Sequence, residues 1–338
     1  MGHRQDNQEI DVTDRVLITG GTGFLGSHLA RALCQVGRPV RVLARPTSDL
    51  SRLSGLDVEI VLADVLLSNT LPEALDGVQA VYHLAGMLGG APVPDAAYRD
   101  LHVSGTLNVL VVAQASGVKR FVHVSSPGVL GPIQDPPADE TWPHAPSNIY
   151  EATKSEGEKL ALTFARRTGL ALTVARPEFV YGPGDTHVLD LFRAIDKRRF
   201  FYIGSGENRV HPTFVDDAVR GMTLCETAGQ AGCVYHIAGP EPVTIRQLAT
   251  TIAEMLGVAP PWLRVPCILA RAAAVGLEVA GTLLSFRPPL SRSAVDFFTQ
   301  TRAFSTARAQ SELGYRAQVP LAEGVRRTVA WYREQGLL

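Results

Sequence analysis

A tyrosine and a lysine stand four positions apart in a stretch with helical periodicity, Tyr150-Glu151-Ala152-Thr153-Lys154. Residues i and i+4 lie on one face of an α-helix, one turn apart. A free tyrosine titrates near pH ~10, and a neighbouring ammonium would stabilise its phenolate and lower its pKa. Ser126, at the end of a predicted strand, could hydrogen-bond the same substrate oxygen. The pattern arises by chance in many helices, so its meaning depends on the elements that position it.

Three glycines recur at every third position, Gly20, Gly23 and Gly26, between a short apolar run and a helical stretch. Gly20 permits a tight turn, Gly23 lets backbone N–H groups approach a pyrophosphate, and Gly26 allows close packing of helix on strand. A glycine-rich turn without function is the alternative. The strand–turn–helix setting favours a dinucleotide site. Cofactor contacts are therefore predicted for Gly20, Gly23, Phe24, Leu25 and Gly26.

The end of the second predicted strand bears on which dinucleotide binds. An acidic residue there would accept hydrogen bonds from the ribose 2′-OH, but the sequence reads Leu43-Ala44-Arg45. Arg45 could pair with a 2′-phosphate, so NADP(H) is slightly favoured over NAD(H); the alternative is a solvated surface arginine. Asp64, after the third predicted strand, is predicted to hydrogen-bond the adenine amino group, with a capping aspartate as the alternative.

Strands and helices alternate through the first half of the chain. Apolar runs predict strands at Arg15–Thr19, Val40–Ala44, Glu59–Leu62, Ala80–Leu84, Phe121–Ser125 and Ala171–Ala175. Helical stretches lie between them at Phe24–Val36, Tyr98–Ala115 and Tyr150–Thr168. This alternation predicts an α/β fold, a Rossmann-type doubly wound parallel sheet, with the dinucleotide-binding domain spanning residues 15–177.

The pattern becomes irregular after Pro177, where glycine and proline interrupt it repeatedly. Residues 178–338 are predicted to form mainly a smaller substrate lobe over the carboxyl ends of the strands, where open α/β sheets bind ligands. A strand and helix within residues 233–256 are expected to rejoin the sheet. The apolar stretch Val265–Phe286 approaches the length of a membrane span, but Arg271 and Glu278 interrupt it. A buried or substrate-lining helix is therefore predicted, and no membrane span.

The composition of the chain limits the classes of binding partner that are expected. The 338-residue chain carries 32 basic and 33 acidic residues, a net charge of -1, which offers no electrostatic footprint for nucleic acid. A small-molecule substrate is expected. Four cysteines, Cys34, Cys225, Cys233 and Cys267, lack metal-ligand spacing, so reduced thiols and no metal site are predicted. Residues 1–14 are polar and are predicted to be a disordered lead-in without a targeting signal, in a cytoplasmic protein.

Taken together, these motifs resemble the extended short-chain dehydrogenase/reductase family, also called the NAD-dependent epimerase/dehydratase family. The resemblance spans about Val16 to Tyr332. It is carried by the glycine loop from Thr19 to Gly26, Asp64, His83-Leu84-Ala85-Gly86, Val124-Ser125-Ser126, Tyr150-x-x-x-Lys154 and Arg176-Pro177-x-x-Val180-Tyr181-Gly182-Pro183-Gly184-Asp185.

The resemblance implies roles for these residues. Ser126 and Tyr150 would be catalytic, and Lys154 would hold the nicotinamide ribose and lower the tyrosine pKa. Further cofactor contacts are implied for Val65, Leu84, Ala85, Gly86, Ser125, Tyr150, Lys154, Pro177, Phe179 and Val180. The family commonly dimerises through a four-helix interface, which implies a homodimer formed by the Tyr98–Ala115 and Tyr150–Thr168 helices.

One departure from the family pattern is His102, where family members usually carry asparagine. A histidine there could support a water or backbone contact on a proton path, or it could simply pack. Its own protonation would give the activity an extra pH dependence near neutrality.

Other departures narrow the reaction. Sugar dehydratases of the family place an Asp-Glu pair directly after the catalytic hydroxyl residue, and this chain has Pro127 and Gly128 there. Nucleotide-sugar enzymes usually carry asparagine at the position of Phe179 and arginine at the position of Val210. Both are apolar here, although Arg209 stands next to Val210. These differences argue against a dehydratase and lower the expectation of a nucleotide-sugar epimerase.

The segments Gly204–His211 and Asp296–Tyr315 resemble the 3β-hydroxysteroid dehydrogenase branch of the family. The leading hypothesis is therefore hydride transfer between NAD(P)(H) and a secondary alcohol or ketone, on an apolar or polycyclic small molecule. Substrate contacts are predicted for Met87, Pro127, Gly128, Glu178 and Arg209. The alternatives are a nucleotide-sugar 4-epimerase, which would show no net cofactor turnover, and a non-catalytic dinucleotide sensor.

Overall fold

The computed structural model describes residues 14–89, 93–284 and 290–338. Except for Asp14, the predicted disordered lead-in lies outside these residues. The strands within them are β1 (Val16–Thr19), β2 (Val40–Ala44), β3 (Val58–Leu62), β4 (Ala80–His83), β5 (Arg120–Val124), β6 (Leu172–Pro177), β7 (Val180–Tyr181), β8 (Tyr202–Ile203), β9 (Arg209–Val210), β10 (Thr213–Phe214), β11 (Val234–Ile237), β12 (Val243–Thr244) and β13 (Arg264–Val265).

The α-helices alternate with the strands in the first half and dominate the second. They are α1 (Phe24–Gln35), α2 (Leu71–Leu75), α3 (Asp95–Arg99), α4 (Thr106–Ala115), α5 (Ile149–Thr168), α6 (Leu189–Asp196), α7 (Val215–Thr227), α8 (Ile245–Leu256), α9 (Cys267–Leu284), α10 (Arg292–Thr299), α11 (Ala307–Leu313) and α12 (Leu321–Glu334). A π-helical segment, Asp100–Gly105, joins α3 to α4.

Seven strands form one parallel sheet in the order β11-β6-β5-β4-β1-β2-β3. The strand β1 is buried along its whole length because helices cover both faces of the sheet. One apolar cluster packs α1 and α7 on one face, and a second packs α2, α4 and α5 on the other. The chain reverses direction across the sheet between β1 and β4, which opens a crevice at their carboxyl ends. The predicted doubly wound Rossmann-type fold is confirmed.

The second half of the chain contributes to both parts of the molecule. The strand β11 pairs in parallel with β6 and completes the sheet. The helix α8, in contrast, packs against α6 and α12 in a third apolar cluster that includes Phe192, Leu248 and Val329. The strand therefore lies in the sheet, whereas the helix that follows it lies in the lobe.

The helix α9 covers most of the apolar stretch that was predicted to be buried or substrate-lining. The prediction of burial is wrong for the outer face of this helix. Ile268 is 82% exposed, and Leu269 and Val275 are exposed as well. Among the α9 side chains that the structure describes, two alanines four residues apart, Ala270 and Ala274, are buried and pack with Ile203 and Val295. Alanines at i and i+4 give only a narrow packing face, so larger apolar side chains remain outside. Among the described residues, no helix has the length and apolar character needed to cross a membrane.

Candidate active site

The helix α5 brings Tyr150 and Lys154 to the end of β5. It begins after Asn148, whose side chain accepts the Glu151 N–H at 3.0 Å and thereby caps the first turn. Lys154 is 9% exposed, and its Nζ donates to the Val124 carbonyl oxygen at 2.6 Å. This bond ties the lysine to the strand that leads directly into Ser125 and Ser126.

Ser126 lies in extended backbone just after β5 and caps the 3-10 helix Pro127–Leu130. Its Oγ accepts the Gly128 N–H at 3.1 Å, which fixes the rotamer of the hydroxyl. A side-chain hydrogen bond between Ser126 and Tyr150 lowers the pKa of the tyrosine. The structure thus brings together Ser126, Tyr150 and Lys154, which the sequence separates.

The protein groups shift the pKa of Tyr150 in the direction opposite to the sequence prediction. Its pKa is raised to about 12, mainly by burial, which the Ser126 hydrogen bond opposes and to which negative charge on Glu178 or Glu151 adds. Burial also lowers the pKa of Lys154 to about 8. Desolvation therefore outweighs any attraction between the phenolate and the ammonium, so a further positive charge beside Tyr150 is needed to favour its ionised form.

The glycines of the loop leave room for backbone segments, and for a ligand, to pack closely against it. Gly20 adopts φ +73°, and a Cβ there would lie 2.8 Å from the Leu84 carbonyl oxygen. A Cβ on Gly26 would lie 2.2 Å from the Gly20 oxygen. The helix α1 begins after Gly23 without a side-chain cap, so the amides of Phe24 and Leu25 lie at an uncapped helix N-terminus. This arrangement fits a pyrophosphate.

A directed hydrogen-bond chain holds this loop against β4. The Ala85 N–H donates to Thr19 Oγ1 at 3.2 Å, and that hydroxyl donates to His83 Nδ1 at 2.8 Å. His83 Nε2 then donates to Thr106 Oγ1 at 3.0 Å, and Thr106 donates to the His102 carbonyl oxygen. The chain fixes the tautomer of His83 and links the carboxyl ends of β1 and β4 to α4.

His102 joins the segment after β4 to the catalytic helix. Its Nε2 accepts the Met87 N–H at 3.0 Å, so Nδ1 carries the proton and donates to Thr153 Oγ1 at 2.9 Å. Its ring also meets the edge of Tyr150, with centroids 5.7 Å apart. Burial, followed by the charge of Lys154, lowers the pKa of His102 to about 3. The predicted pH dependence near neutrality is therefore wrong, because this imidazole stays neutral there.

The residues predicted to meet the adenosine end lie along the ends of β2 and β3. Arg45 follows β2 and is exposed, with its backbone N–H bonded to Ser48 Oγ. Asp64 Oδ1 accepts the Leu66 N–H at 2.9 Å, so this aspartate does cap a turn. Val65 is buried, and its carbonyl oxygen accepts from Asn108. Leu84, Ala85 and Gly86 follow β4 beside the glycine loop, and Ser125 is buried at the end of β5.

The residues predicted near the nicotinamide follow β6. Pro177 ends that strand, and Val180 starts β7, which pairs with β10. Phe179 adopts φ +35°, a backbone conformation unusual for a residue with a Cβ, and its ring packs on Phe297 with centroids 5.3 Å apart. Glu178, which lies between Pro177 and Phe179 in the chain, is buried. Such local strain often marks a functional site.

The remaining predicted substrate residues divide into two groups. Met87, Pro127 and Gly128 lie beside Tyr150 and Ser126 through the contacts already described. Arg209 instead lines a separate cavity of about 510 Å³, together with His211 and the prolines of the loop before α5. Among the described residues, no hydrogen bond or ion pair joins the Arg209 side chain to the Ser126–Tyr150 group.

Sequence reasoning missed three side chains at the site. Thr153 lies within the Tyr150–Lys154 turn but nothing in its type reveals its bond to His102. Glu151 pairs with Arg302, with Arg302 Nη1 2.8 Å from Glu151 Oε1. These two charges lie far apart in the chain, so no local pattern could have paired them.

Comparisons with known proteins agree with this geometry. Residues 16–238 match the model of the NAD dependent epimerase/dehydratase family. The chain is 32% identical over 317 residues to 4-hydroxy-2-methyl-3-oxo-4-farnesyl-3,4-dihydroquinoline-1-oxide ketoreductase of Stigmatella aurantiaca, covering 92% of this chain and 94% of the relative. It is 30% identical to 3beta-hydroxysteroid-dehydrogenase/decarboxylase isoform 1 of Arabidopsis thaliana, covering 95% of this chain and 80% of the relative.

A solved structure extends the comparison to nucleotide sugars. The dTDP-glucose 4,6-dehydratase DesIV of Streptomyces venezuelae, crystallised with NAD and TYD, superposes with a TM-score of 0.79 at 28% identity, covering 95% of this chain and 97% of that chain. The matched region spans the glycine loop, Ser126, Tyr150, Lys154 and Pro177. The chain therefore belongs to the NAD-dependent epimerase/dehydratase family, as its motifs predicted, with 3β-hydroxysteroid dehydrogenases among its relatives.

Proposed function

We propose that this protein is an NAD(P)-dependent dehydrogenase/reductase that transfers a hydride between the nicotinamide cofactor and a secondary alcohol or ketone on an apolar or polycyclic small molecule. The observation that carries the proposal is the convergence of Ser126, Tyr150 and Lys154 at the carboxyl edge of the sheet, beside an uncapped helix N-terminus. The ketoreductase and hydroxysteroid dehydrogenase relatives support this substrate class.

Each residue has a distinct task in this reaction. The nicotinamide, when bound, supplies or accepts the hydride. Tyr150 donates a proton to the substrate oxygen during reduction and accepts it during oxidation, and the Ser126 hydroxyl donates a hydrogen bond to the same oxygen. Lys154 anchors the ribose and, as an ammonium, favours the phenolate of Tyr150. The positive charge of the oxidised nicotinamide would offset the burial that raises the pKa of this tyrosine.

The proposal includes a preference for NADP(H) over NAD(H). Arg45 is exposed at the end of β2, where its side chain is available to a 2′-phosphate. Calorimetric titration with each dinucleotide tests this preference. Arg45→Ala should weaken NADP(H) binding by about tenfold or more and leave NAD(H) binding nearly unchanged, because only the phosphate contact is charge-assisted. Equal losses for both dinucleotides would contradict the preference.

Replacing Tyr150 with phenylalanine tests the reaction directly. The change removes the proton donor but keeps the ring, so kcat for ketone reduction should fall by roughly 10²–10⁴. The assay follows oxidation of the reduced cofactor in the presence of a bulky apolar ketone, and calorimetry checks that the cofactor still binds. Unchanged turnover in this variant, with cofactor binding intact, would refute the assigned role.

A nucleotide-sugar 4-epimerase is the second candidate, favoured by the structural similarity to a dehydratase that binds TYD. Titration of the protein and its cofactor with UDP separates the two. Absence of UDP binding, together with net cofactor turnover on a ketone, supports the reductase. Tight UDP binding and isomerisation without net cofactor change would establish the epimerase despite Phe179 and Val210.

A further inference from the structure

Two carboxyl groups and one guanidinium meet beside Tyr150, and only one of the carboxyl groups is paired. Glu151 Oε1 lies 2.8 Å from Arg302 Nη1, while its Oε2 accepts the N–H and the hydroxyl of Ser147, both at 2.7 Å. Glu178 lies close enough to Arg302, Glu151 and Tyr150 to interact with them electrostatically, but its side chain makes no hydrogen bond or ion pair with the described residues. The cluster therefore contains one buried acid without a protein partner.

Hydrogen bonds to two neighbouring segments hold the backbone around Glu178 in place. The Glu178 N–H donates to the Ile237 carbonyl oxygen at 3.0 Å, and the Phe179 carbonyl oxygen accepts the Thr213 N–H at 3.1 Å. Phe179, in its left-handed conformation, packs on Phe297. The point from which the Glu178 side chain extends is therefore fixed between β6 and β7, so a group at this position can impose a geometric requirement on a ligand.

The burial of Glu178 favours its neutral form. Glu178 is 7% exposed, so ionisation would place a charge in a poorly solvated position. The pKa of Glu178 is raised to about 8, mainly by burial; the charge of Arg302 opposes the shift and that of Glu151 adds to it. Arg302 is already engaged by Glu151, so it does not neutralise a second carboxylate fully. At neutral pH the group is then a carboxylic acid with an O–H to donate.

We infer that Glu178 determines substrate specificity by donating a hydrogen bond to a second oxygen atom of the substrate, close to the carbon that exchanges the hydride. The inference rests on the proposed function and deepens it. Preferred substrates would be ketones or alcohols with a neighbouring carbonyl, ester or hydroxyl oxygen, and a ketone lacking that oxygen would leave a buried donor unpaired.

A pair of ketones and three variants test this inference. The ketones share one carbon skeleton and differ only in a second oxygen function beside the carbonyl. Glu178→Leu removes the donor and Glu178→Gln keeps an N–H donor. Glu140→Gln is the control, since the Glu140 side chain is also buried but accepts the backbone N–H of His236 and lies near Arg308.

With the dioxygenated ketone, Glu178→Leu should raise KM about tenfold, whereas Glu178→Gln and the control should stay within about threefold of wild type. With the simple ketone, Glu178→Gln and the control should keep the KM of wild type, and Glu178→Leu should have an equal or lower KM, because it removes the unpaired donor. Equal effects of Glu178→Leu on both ketones would overturn the inference, because they would indicate a structural role.

The pH profile gives a second readout. Tyr150 and Glu151 face Glu178 from α5, and Arg302 faces it from the segment after α10. In wild type, KM for the dioxygenated ketone should rise above pH ~8 as Glu178 loses its proton, and the rise should be smaller in Glu178→Gln, in which Lys154, with a pKa also lowered to about 8, still titrates. The same rise in both proteins would contradict the role of Glu178.

An infrared titration keeps the inference testable without turnover. Wild type with its cofactor should show the C=O stretch of a protonated carboxyl at neutral pH, which should shift when the dioxygenated ketone binds and be missing in Glu178→Gln. Failure of any ketone to react would count against the proposed function, whereas this infrared signal would still support the role of Glu178. An ionised Glu178 at neutral pH would overturn it.

Discussion

Three buried histidines, His83, His102 and His236, have pKa values lowered to about 3. Burial is the main cause in each, and the positive charge of Lys154 or Arg176 adds to it. An unfolded histidine titrates near pH ~6.5. Because the folded state binds fewer protons than the unfolded state, the stability these groups contribute is present above that pH and is lost as the pH falls toward 3.

We expect the free energy of unfolding to fall on acidification at pH values well above those at which carboxylates titrate. Lowering the pH from 7 to 5 should reduce the free energy of unfolding by about 2 kcal/mol per histidine. Urea unfolding at several pH values measures this loss. His102→Asn, which cannot titrate, should flatten the pH dependence by about one histidine's share, and an unchanged slope in that variant would contradict the assigned environment.

At the scale of elements, the glycine loop and α1 depend on backbone contact. A methyl group at Gly26 would collide with the Gly20 carbonyl oxygen and the Gly21 Cα, neither of which is a flexible side-chain end. Gly26→Ala should therefore destabilise the protein by about 1–3 kcal/mol and weaken dinucleotide binding, because the loop must move. Thermal unfolding and calorimetric titration measure the two effects.

Gly276, within α9, offers the matched control because a Cβ there meets no atom within 4 Å. Gly276→Ala should raise the stability of the protein by about 0.5–1 kcal/mol, since alanine favours the helix. Equal behaviour of the two variants would show that close packing at Gly26 does not control the loop.

The elements were predictable where the signal is local. Strands such as β2 and helices such as α1 follow from short apolar runs and periodicity, and their bounds agree closely with prediction. The region predicted as one α-helix from Tyr98 to Ala115 is helical but not α-helical throughout. A π-helical segment before Thr106 interrupts the α-helical hydrogen bonding. No composition rule marks such an insertion.

The candidate site was predictable to the extent that motifs carry it. The spacing of Tyr150 and Lys154 and the position of Ser126 at a strand end suggested these residues, and the family resemblance implied their roles; the structure brings the three side chains together. The pairing of Glu151 with Arg302 depends on how the chain returns after α10, and the exposure of α9 depends on which neighbours cover it. Such properties arise from tertiary packing, which a single sequence does not display.

At the scale of the whole molecule, the proposed homodimer would use α4 and α5. Leu107 and Val111 lie one turn apart on α4 and are both exposed, Val111 by 48%. Two exposed apolar side chains at i and i+4 form a stripe suited to helix packing. A charge at the centre of this stripe should separate the subunits.

Val111→Arg should therefore halve the mass measured by size-exclusion chromatography with light scattering. Val275→Arg on α9 is the matched control, because Val275 is 47% exposed and apolar but lies elsewhere. The control should keep the mass of the wild type. If neither substitution changes the mass, the proposed α4–α5 interface is wrong.

The pairing of β11 with β6 has a consequence for synthesis. During translation β6, with apolar residues such as Leu172 and Val174, is synthesised before its partner strand β11. One backbone edge of β6 therefore stays unpaired until a much later part of the chain is made. Ribosomes add roughly 5–20 residues per second, so this edge stays open for several seconds. An open strand edge invites pairing with another chain. Chains ending at Pro177 should self-associate in light scattering far more than full-length protein.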